Sequence, residues 1–141
     1  MSQEESIVRE NFSRQAFMRT LGAEITSLGQ GKIEIRLQFD SALTQQNGFV
    51  HAGVLTSVMD SACGYAAMSV APEKHDVLSV EFKVNLLARA QGDYFVARAA
   101  VKRPGRNLTV CTADAFAVQN GREKLVATML ATMMNVKPSG G

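Results

Sequence analysis

Residues 52–70 are the segment that most restricts which fold this chain can adopt. Apolar side chains recur there at helical spacing over a broad face, and alanine, glycine and serine fill most of the remaining positions. This pattern predicts a helix that is buried almost all round and that neighbouring backbone can approach closely. The acidic Asp60 and the many small residues argue against a membrane span.

The segments on either side of this helix alternate apolar and polar residues, which is typical of half-buried strands. Ile33, Ile35 and Leu37, for example, alternate with charged or amide side chains. Turn residues separate several of these segments, at 29–31, at Gly92, at 104–107 and at 120–121, so we expect hairpins there and antiparallel neighbours. Strands are predicted over residues 23–28, 32–39, 77–90, 94–102, 108–118 and 124–136.

The predicted fold class is therefore α+β, with one long antiparallel sheet wrapped around the central buried helix. An open sheet of this kind leaves a face or an edge to be covered. Closed two-fold pairing is the commonest way to cover such a surface, so we expect a homodimer.

Length and composition favour one cytoplasmic domain. The 141 residues fit a single domain over 1–141, with an N-terminal helix at about 3–20 and a frayed tail at 137–141. A net charge of +2 is too small to indicate a nucleic-acid partner. Cys63 and Cys111 lack zinc or redox spacing, which predicts free thiols in a reducing compartment. The N-terminus has no apolar signal-peptide region, so we expect a cytoplasmic protein.

Two ionisable residues frame the central helix: His51 stands just before it, and Asp60 stands nine positions later. The first N–H groups of a helix are unpaired and partly positive, so those of Ala52 and Gly53 can stabilise an oxyanion. A carboxylate such as Asp60 can act as a general base or as a nucleophile. Taken singly, each of the two residues also has a purely structural explanation. Asp60 can be an acid paired with a donor, and His51 can be a histidine that hydrogen-bonds its own loop.

A resemblance to a known family rests on three segments. They are Asn-Gly-Phe-Val-His-Ala-Gly at residues 47–53, the acid Asp60, and the strand-like Ser-Val-Glu-Phe-Lys-Val-Asn-Leu-Leu at residues 79–87. Together they resemble hotdog-fold acyl-CoA thioesterases, in particular the PaaI-like branch of the phenylacetate pathway, related to the 4-hydroxybenzoyl-CoA thioesterases. The resemblance covers about residues 12–136. It implies a hotdog fold and hydrolysis of a medium-sized or aromatic acyl-CoA to the free acid and CoA.

The motif of that branch is a Gly-x-x-His-Gly-Gly loop followed by an acid nine positions after the histidine. Gly48, His51 and Asp60 match this motif. Ala52 replaces the first glycine after the histidine, which matters only if the position requires a positive φ. Gln45 stands where an asparagine is usual, and its amide can form the same hydrogen bonds with a longer reach.

The resemblance also implies a site shared between subunits. About 13 Å of helix separates His51 from Asp60, so these side chains of one chain cannot act on the same carbonyl. Hotdog dimers place the acid of one subunit opposite the helix start of the other, and they often pair into tetramers. The implied roles are oxyanion binding by the Ala52 N–H, orientation of the loop or carbonyl by His51, and positioning of the thioester or water by Gln45. Further candidates for substrate binding are Asn47, Gly48 and Ser79.

The phosphates of CoA require basic residues near the mouth of the site. Arg89, Arg103 and Arg106 are the candidates, with Lys83 and Lys102 close to them in the sequence. We expect no metal, because the two histidines lack paired ligand spacing, and no other cofactor, because CoA belongs to the substrate.

Two other functions on the same fold stay open. One is a non-catalytic acyl-CoA-binding protein, against which Asp60 argues, because binding alone does not require a carboxylate beside a thioester. The other is a dehydratase or hydratase that acts on 3-hydroxyacyl or enoyl thioesters. The fold by itself does not separate these functions.

Overall fold

The computed structural model describes residues 1–72 and 75–137, so the predicted tail from residue 138 onward lies outside the described residues. Its α-helices are α1 (Gln3–Arg14), α2 (Ala16–Leu21) and α3 (Ala52–Met68), and a short 3-10 helix lies at Ser41–Leu43. Its strands are β1 (Ala23–Gly29), β2 (Lys32–Gln38), β3 (Asp76–Leu86), β4 (Tyr94–Arg103), β5 (Leu108–Gln119) and β6 (Arg122–Val136). Within this part of the chain, none of the helices has the length and apolar character that a membrane span requires.

The helix predicted at residues 3–20 is in fact two helices. Gln15 has an extended backbone, with φ −79° and ψ 103°, and it ends α1. Its side chain points into the protein, where Nε2 donates to the Tyr65 hydroxyl at 3.1 Å. Periodicity could not show this break, because glutamine is a good helix former. Helix α2 ends at Gly22, whose φ of +75° suits glycine.

The strands form one antiparallel sheet in the order β1-β2-β4-β5-β6-β3. Three predicted hairpins, β1–β2, β4–β5 and β5–β6, are confirmed. Asn120 and Gly121 have φ of 53° and 75°, as a type I′ turn requires. The chain does not turn back at Gly92, however, because residues 87–93 carry it from β3 at one edge to β4 beside β2. Gly92 is required there, since a Cβ would lie 2.8 Å from the Val118 carbonyl oxygen.

Helix α3 packs on the inner face of the sheet and forms the centre of the core, which confirms the predicted architecture. Its buried side chains include Leu55, Met59 and Cys63. Alanines on β4, β5 and β6 face it, so the helix lies close to the sheet. The helix ends at Met68, two residues before the predicted end. Buried alanines in these strands stand at positions 97, 99, 113, 115, 117, 127 and 131.

Strand β3 is an exposed edge of the sheet. It pairs with β6 on one side and has no strand on the other within the described residues. Leu78, Val80 and Leu86 are 58%, 54% and 56% exposed. A long edge strand with exposed apolar side chains is a ready template for pairing with another chain. This edge is therefore the part of the molecule that most needs a partner.

Candidate active site

His51 caps α3 and occupies one of its N-terminal N–H groups. Its backbone is extended, with φ −61° and ψ 138°, and its Nδ1 accepts a 2.8 Å hydrogen bond from the Gly53 N–H. With Nδ1 as acceptor, a neutral imidazole carries its proton on Nε2. The Gly53 N–H is therefore not free, contrary to the expectation that it serves as a second oxyanion donor. The Ala52 N–H has no acceptor among the described residues.

The loop before His51 is held by its own hydrogen bonds. The Gln45 side-chain Oε1 accepts from the N–H groups of Asn47, at 2.6 Å, and Phe49, at 3.3 Å. The Gln45 carbonyl accepts from the Gly48 N–H at 3.0 Å, and Gly48 has a φ of +85°. Gln45 therefore shapes the loop with its side-chain and backbone oxygens, and its NH₂ group has no acceptor among the described residues. Asn47 and Gly48 are exposed on the tip of the loop.

Asp60 and Ser79, two residues that the sequence nominated separately, are in direct contact. The Ser79 hydroxyl donates to Asp60 Oδ1 at 2.6 Å and lies 3.4 Å from the Met133 sulfur. This bond joins the middle of α3 to the edge strand β3 and fixes one carboxylate oxygen. The other oxygen, Oδ2, accepts no hydrogen bond within the described residues. Both residues line a cavity of about 210 Å³ between α3, α1 and the start of β3.

The far wall of the Asp60 cavity is a polar network that the sequence did not reveal. The Tyr65 hydroxyl donates to Asn11 Oδ1 at 3.1 Å and accepts from Gln15 Nε2 at 3.1 Å. Gln15 Oε1 in turn accepts from the Ser61 hydroxyl at 3.1 Å. Burial raises the pKa of Tyr65, so its hydroxyl keeps its proton at neutral pH. No local pattern predicts these contacts, because they join residues about 50 positions apart.

The helix start opens into a different cavity. Gln45, His51, Ala52 and Arg89 line a space of about 320 Å³, whose remaining walls are mostly apolar. Eight residues of helix, about 12 Å, separate Ala52 from Asp60. One chain therefore presents an N–H donor in one cavity and a carboxylate in another.

The two arginines of the β4–β5 hairpin lie apart from both cavities. Arg103 and Arg106 are exposed and line neither of them. The hairpin is tied to β6, because Asn135 Nδ2 donates to the carbonyl groups of Gly105, at 3.1 Å, and Arg106, at 3.0 Å. Arg89, in contrast, lies at the helix-start cavity, with its guanidinium 5.4 Å from the centre of the Phe49 ring.

Comparison with known proteins identifies the fold and the family of the chain. The family model described as the thioesterase superfamily matches residues 47–124, more than half of the chain. The crystal structure of a thioesterase family protein from Silicibacter pomeroyi is similar, with a TM-score of 0.94 and 51% identity over 96% of this chain and 99% of that one. The fold is the hotdog fold, and the family match together with this similarity places the chain among enzymes that hydrolyse thioesters. The chain belongs to the thioesterase superfamily.

Two further relatives are more distant. The E. coli PaaI protein from the phenylacetic acid degradation operon shares the fold, with a TM-score of 0.84 and 20% identity over 94% of this chain and 93% of that one. A 1,4-dihydroxy-2-naphthoyl-CoA hydrolase of Listeria monocytogenes is 30% identical over 92 residues, which are 64% of this chain and 74% of that protein.

Proposed function

We propose that the protein hydrolyses an acyl-CoA at a site shared by two subunits of a homodimer. The observation that carries this proposal is the separation of Ala52 from Asp60, which open into different cavities of one chain. A second subunit that brings its Asp60 to the Ala52 N–H unites donor and carboxylate around one carbonyl. The exposed apolar edge at β3, next to Ser79, supports a partner on this side.

In this site the carbonyl oxygen of the thioester accepts a hydrogen bond from the Ala52 N–H of one subunit. The start of α3 stabilises the negative charge that develops on this oxygen. His51 holds the turn through Gly53 and presents its other nitrogen to the substrate. Asp60 of the other subunit, held by Ser79, uses Oδ2 either to attack the carbonyl carbon or to take a proton from an attacking water. In the first route the C–S bond breaks as an acyl–Asp60 anhydride forms, and a water molecule then hydrolyses this anhydride to the acid and free Asp60. In the second route the water oxygen bonds to the carbonyl carbon as the C–S bond breaks, which gives the acid directly. In both routes CoA leaves as a thiolate and takes up the proton that the water has lost.

We further propose a medium-sized or aromatic acyl group of the PaaI-like kind, no cofactor, and action in the cytoplasm. The cavity of about 210 Å³ beside Asp60 supports an acyl group of moderate size. The residues placed around the carbonyl supply an oxyanion donor and a base, which is all that hydrolysis requires. Cys63 and Cys111 are free and buried, in keeping with a reducing compartment.

Release of free thiol from a panel of acyl-CoAs tests this function, with wild type and Asp60→Asn measured side by side. We expect hydrolysis of at least one acyl-CoA by the wild type and a fall of about 10²-fold or more in the variant. Asp114→Asn is the matched control, because Asp114 accepts from Thr128 on β6, away from both cavities. Absence of thiol release, with binding or hydration of an enoyl thioester instead, would contradict the proposal.

A further inference from the structure

Helix α3 contains a glycine at a position where a helix disfavours it. Gly64 lies within α3, which runs from Ala52 to Met68. Inside a helix glycine is less favourable than every residue except proline, because it loses the most conformational freedom on folding. An alanine at this position should make the protein more stable. Some property of the position other than folding must therefore account for the glycine.

Neither backbone conformation nor packing within the described residues requires this glycine. Positive φ values among the glycines occur at positions 22, 31, 48 and 121, and Gly64 is not one of them. A Cβ on Gly64 would meet no heavy atom within 4 Å apart from its own stretch of the helix. At Gly92, in contrast, a Cβ would lie 2.8 Å from the Val118 carbonyl oxygen. The space beside Gly64 is therefore open.

This open space belongs to the cavity that contains Asp60. Asp60, Gly64 and Met68 all line the cavity, and they follow one another at intervals of four residues along one face of α3. The cavity therefore runs along the helix from the carboxylate past Gly64 to Met68, a distance of about 12 Å. Val77 and Leu78 of β3 line it as well. An acyl group whose carbonyl is held at Asp60 passes Gly64 when it enters this space.

The walls of the cavity limit what can fill it. Gln15 donates to the Tyr65 hydroxyl at 3.1 Å and accepts from the Ser61 hydroxyl at 3.1 Å, which holds these side chains in place beside the open space. Asp60 and Asp76 also line the cavity, and none of its lining residues in the described part of the chain is basic. Two acids without a cation repel a carboxylate, so the space suits an uncharged group.

We propose that Gly64 is a specificity-determining residue, which leaves room for an uncharged acyl group longer than acetyl to extend from Asp60 toward Met68. This inference rests on the proposed function and deepens it, because it names the residue that sets the length of the acyl group. The specificity comes from the absence of a side chain. A larger residue at position 64 shortens the space for the acyl group and leaves Asp60 and the Ala52 N–H in the chain.

The test measures kcat/KM for straight-chain acyl-CoAs from acetyl to decanoyl, and for the aromatic pair benzoyl- and phenylacetyl-CoA. For Gly64→Leu we expect kcat/KM of the longer thioesters to fall about 10–200-fold relative to the shortest, because the leucine fills the passage. Gly64→Ala should give a smaller fall in the same direction and a higher midpoint of thermal unfolding, since alanine favours the helix.

Gly29→Leu and Gly29→Ala are the matched controls. A Cβ on Gly29 also meets no heavy atom within 4 Å, and Gly29 lies at the end of β1, outside this cavity. The two control variants add the same side chains to the protein without entering the acyl space. We expect them to keep the wild-type preference for acyl length.

The proposal is overturned if Gly64→Leu keeps the wild-type preference for acyl length, if it lowers kcat/KM for all thioesters equally, or if Gly29→Leu shows the same shift. An equal loss would mean that the new side chain displaces Asp60. If the wild type hydrolyses no acyl-CoA, the proposed function fails, and calorimetric titration with the same thioesters decides on Gly64. Weaker binding of the longer thioesters alone by Gly64→Leu then supports its role. Equal binding by the two proteins, or binding by neither, refutes it.

Discussion

At the scale of single residues, the cap of α3 decides which of its first N–H groups already has an acceptor. His51 Nδ1 takes the Gly53 N–H, and the Val54 N–H donates to the His51 carbonyl at 2.9 Å. The Ala52 N–H lies between them and has no acceptor among the described residues. The hydrogen bond from the Gly53 N–H to His51 Nδ1 thus has two effects. It orients the imidazole, and it leaves the Ala52 N–H as the unpaired donor.

Ala52→Pro removes this donor without removing a helical hydrogen bond. Proline is favoured at the first helical position, and the extended backbone of His51 is compatible with a following proline. We expect kcat to fall about 10²–10³-fold while the midpoint of thermal unfolding stays close to that of the wild type. Steady-state kinetics and calorimetry measure the two quantities, with Ala52→Ser, which keeps the N–H, as the control. Full activity of the proline variant would remove the Ala52 N–H from the mechanism.

Sequence alone could nominate these residues but not their contacts. The motif spacing pointed to His51 and Asp60, the family resemblance added Ser79, and the structure brings Asp60 and Ser79 together at 2.6 Å. The capture of the Gly53 N–H by His51 depends on one side-chain rotamer, which spacing does not encode. The role of Gln45 as a brace of its own loop depends likewise on loop dihedral angles that only the folded chain defines.

At the scale of elements, periodicity predicted α3 and most strand bounds within about two residues, because burial of one face enforces the pattern. Two features escaped it. The break at Gln15 is stabilised by distant contacts with Tyr65 and Ser61. The second is the connection from β3 to β4, which was expected to be a hairpin. Residues 87–93 instead run past β6 and β5, so β3 and β4 are not neighbours in the sheet.

Arg98 connects three strands on the outer face of the sheet, and its removal should change the response to acid. It pairs with Glu34 on β2 at 2.8 Å and with Glu123 on β6 at 2.6 Å. Burial raises the pKa of Glu34, but hydrogen bonds from Arg98 and Thr26 outweigh it and hold that pKa below its usual value. The hydrogen bond from Arg98 likewise lowers the pKa of Glu123.

The pKa values of Glu34 and Glu123 are lower in the folded protein than the unfolded value of about 4.3. The pairing therefore stabilises the protein fully above that value. This stabilisation is lost as the pH falls through the two folded pKa values. Arg98→Met should lack this contribution, so its urea midpoint should fall less than that of the wild type on acidification through this range. The difference should stay below about 1 kcal/mol, because the side chains are largely exposed. Parallel acid responses of the two proteins would show that Arg98 does not couple the strands.

At the scale of the whole molecule, the proposed shared site predicts that the edge strand β3 connects assembly to activity. Val80 is 54% exposed at a bulge in β3, one residue from Ser79. Val80→Lys should leave the subunit folded but place a charge on the pairing edge. We expect monomers in analytical ultracentrifugation and a parallel loss of thioester hydrolysis. Phe17→Lys is the control, because it replaces an apolar side chain that is also 52% exposed but lies on α2, away from the β3 edge. A dimer that survives Val80→Lys with full activity would place the interface on another surface.

The most direct test of a shared site is complementation between two inactive variants. Asp60→Asn and Ala52→Pro are each expected to be inactive as homodimers, and the two proteins are mixed by co-expression or by refolding together. A mixed dimer then contains one site with an intact Ala52 N–H from one subunit and an intact Asp60 from the other. With random pairing, half of the dimers are mixed and each has one of two sites intact, so we predict recovery of about a quarter of the wild-type rate. No recovery from a mixture that contains mixed dimers would contradict the shared site and place the reaction within one chain.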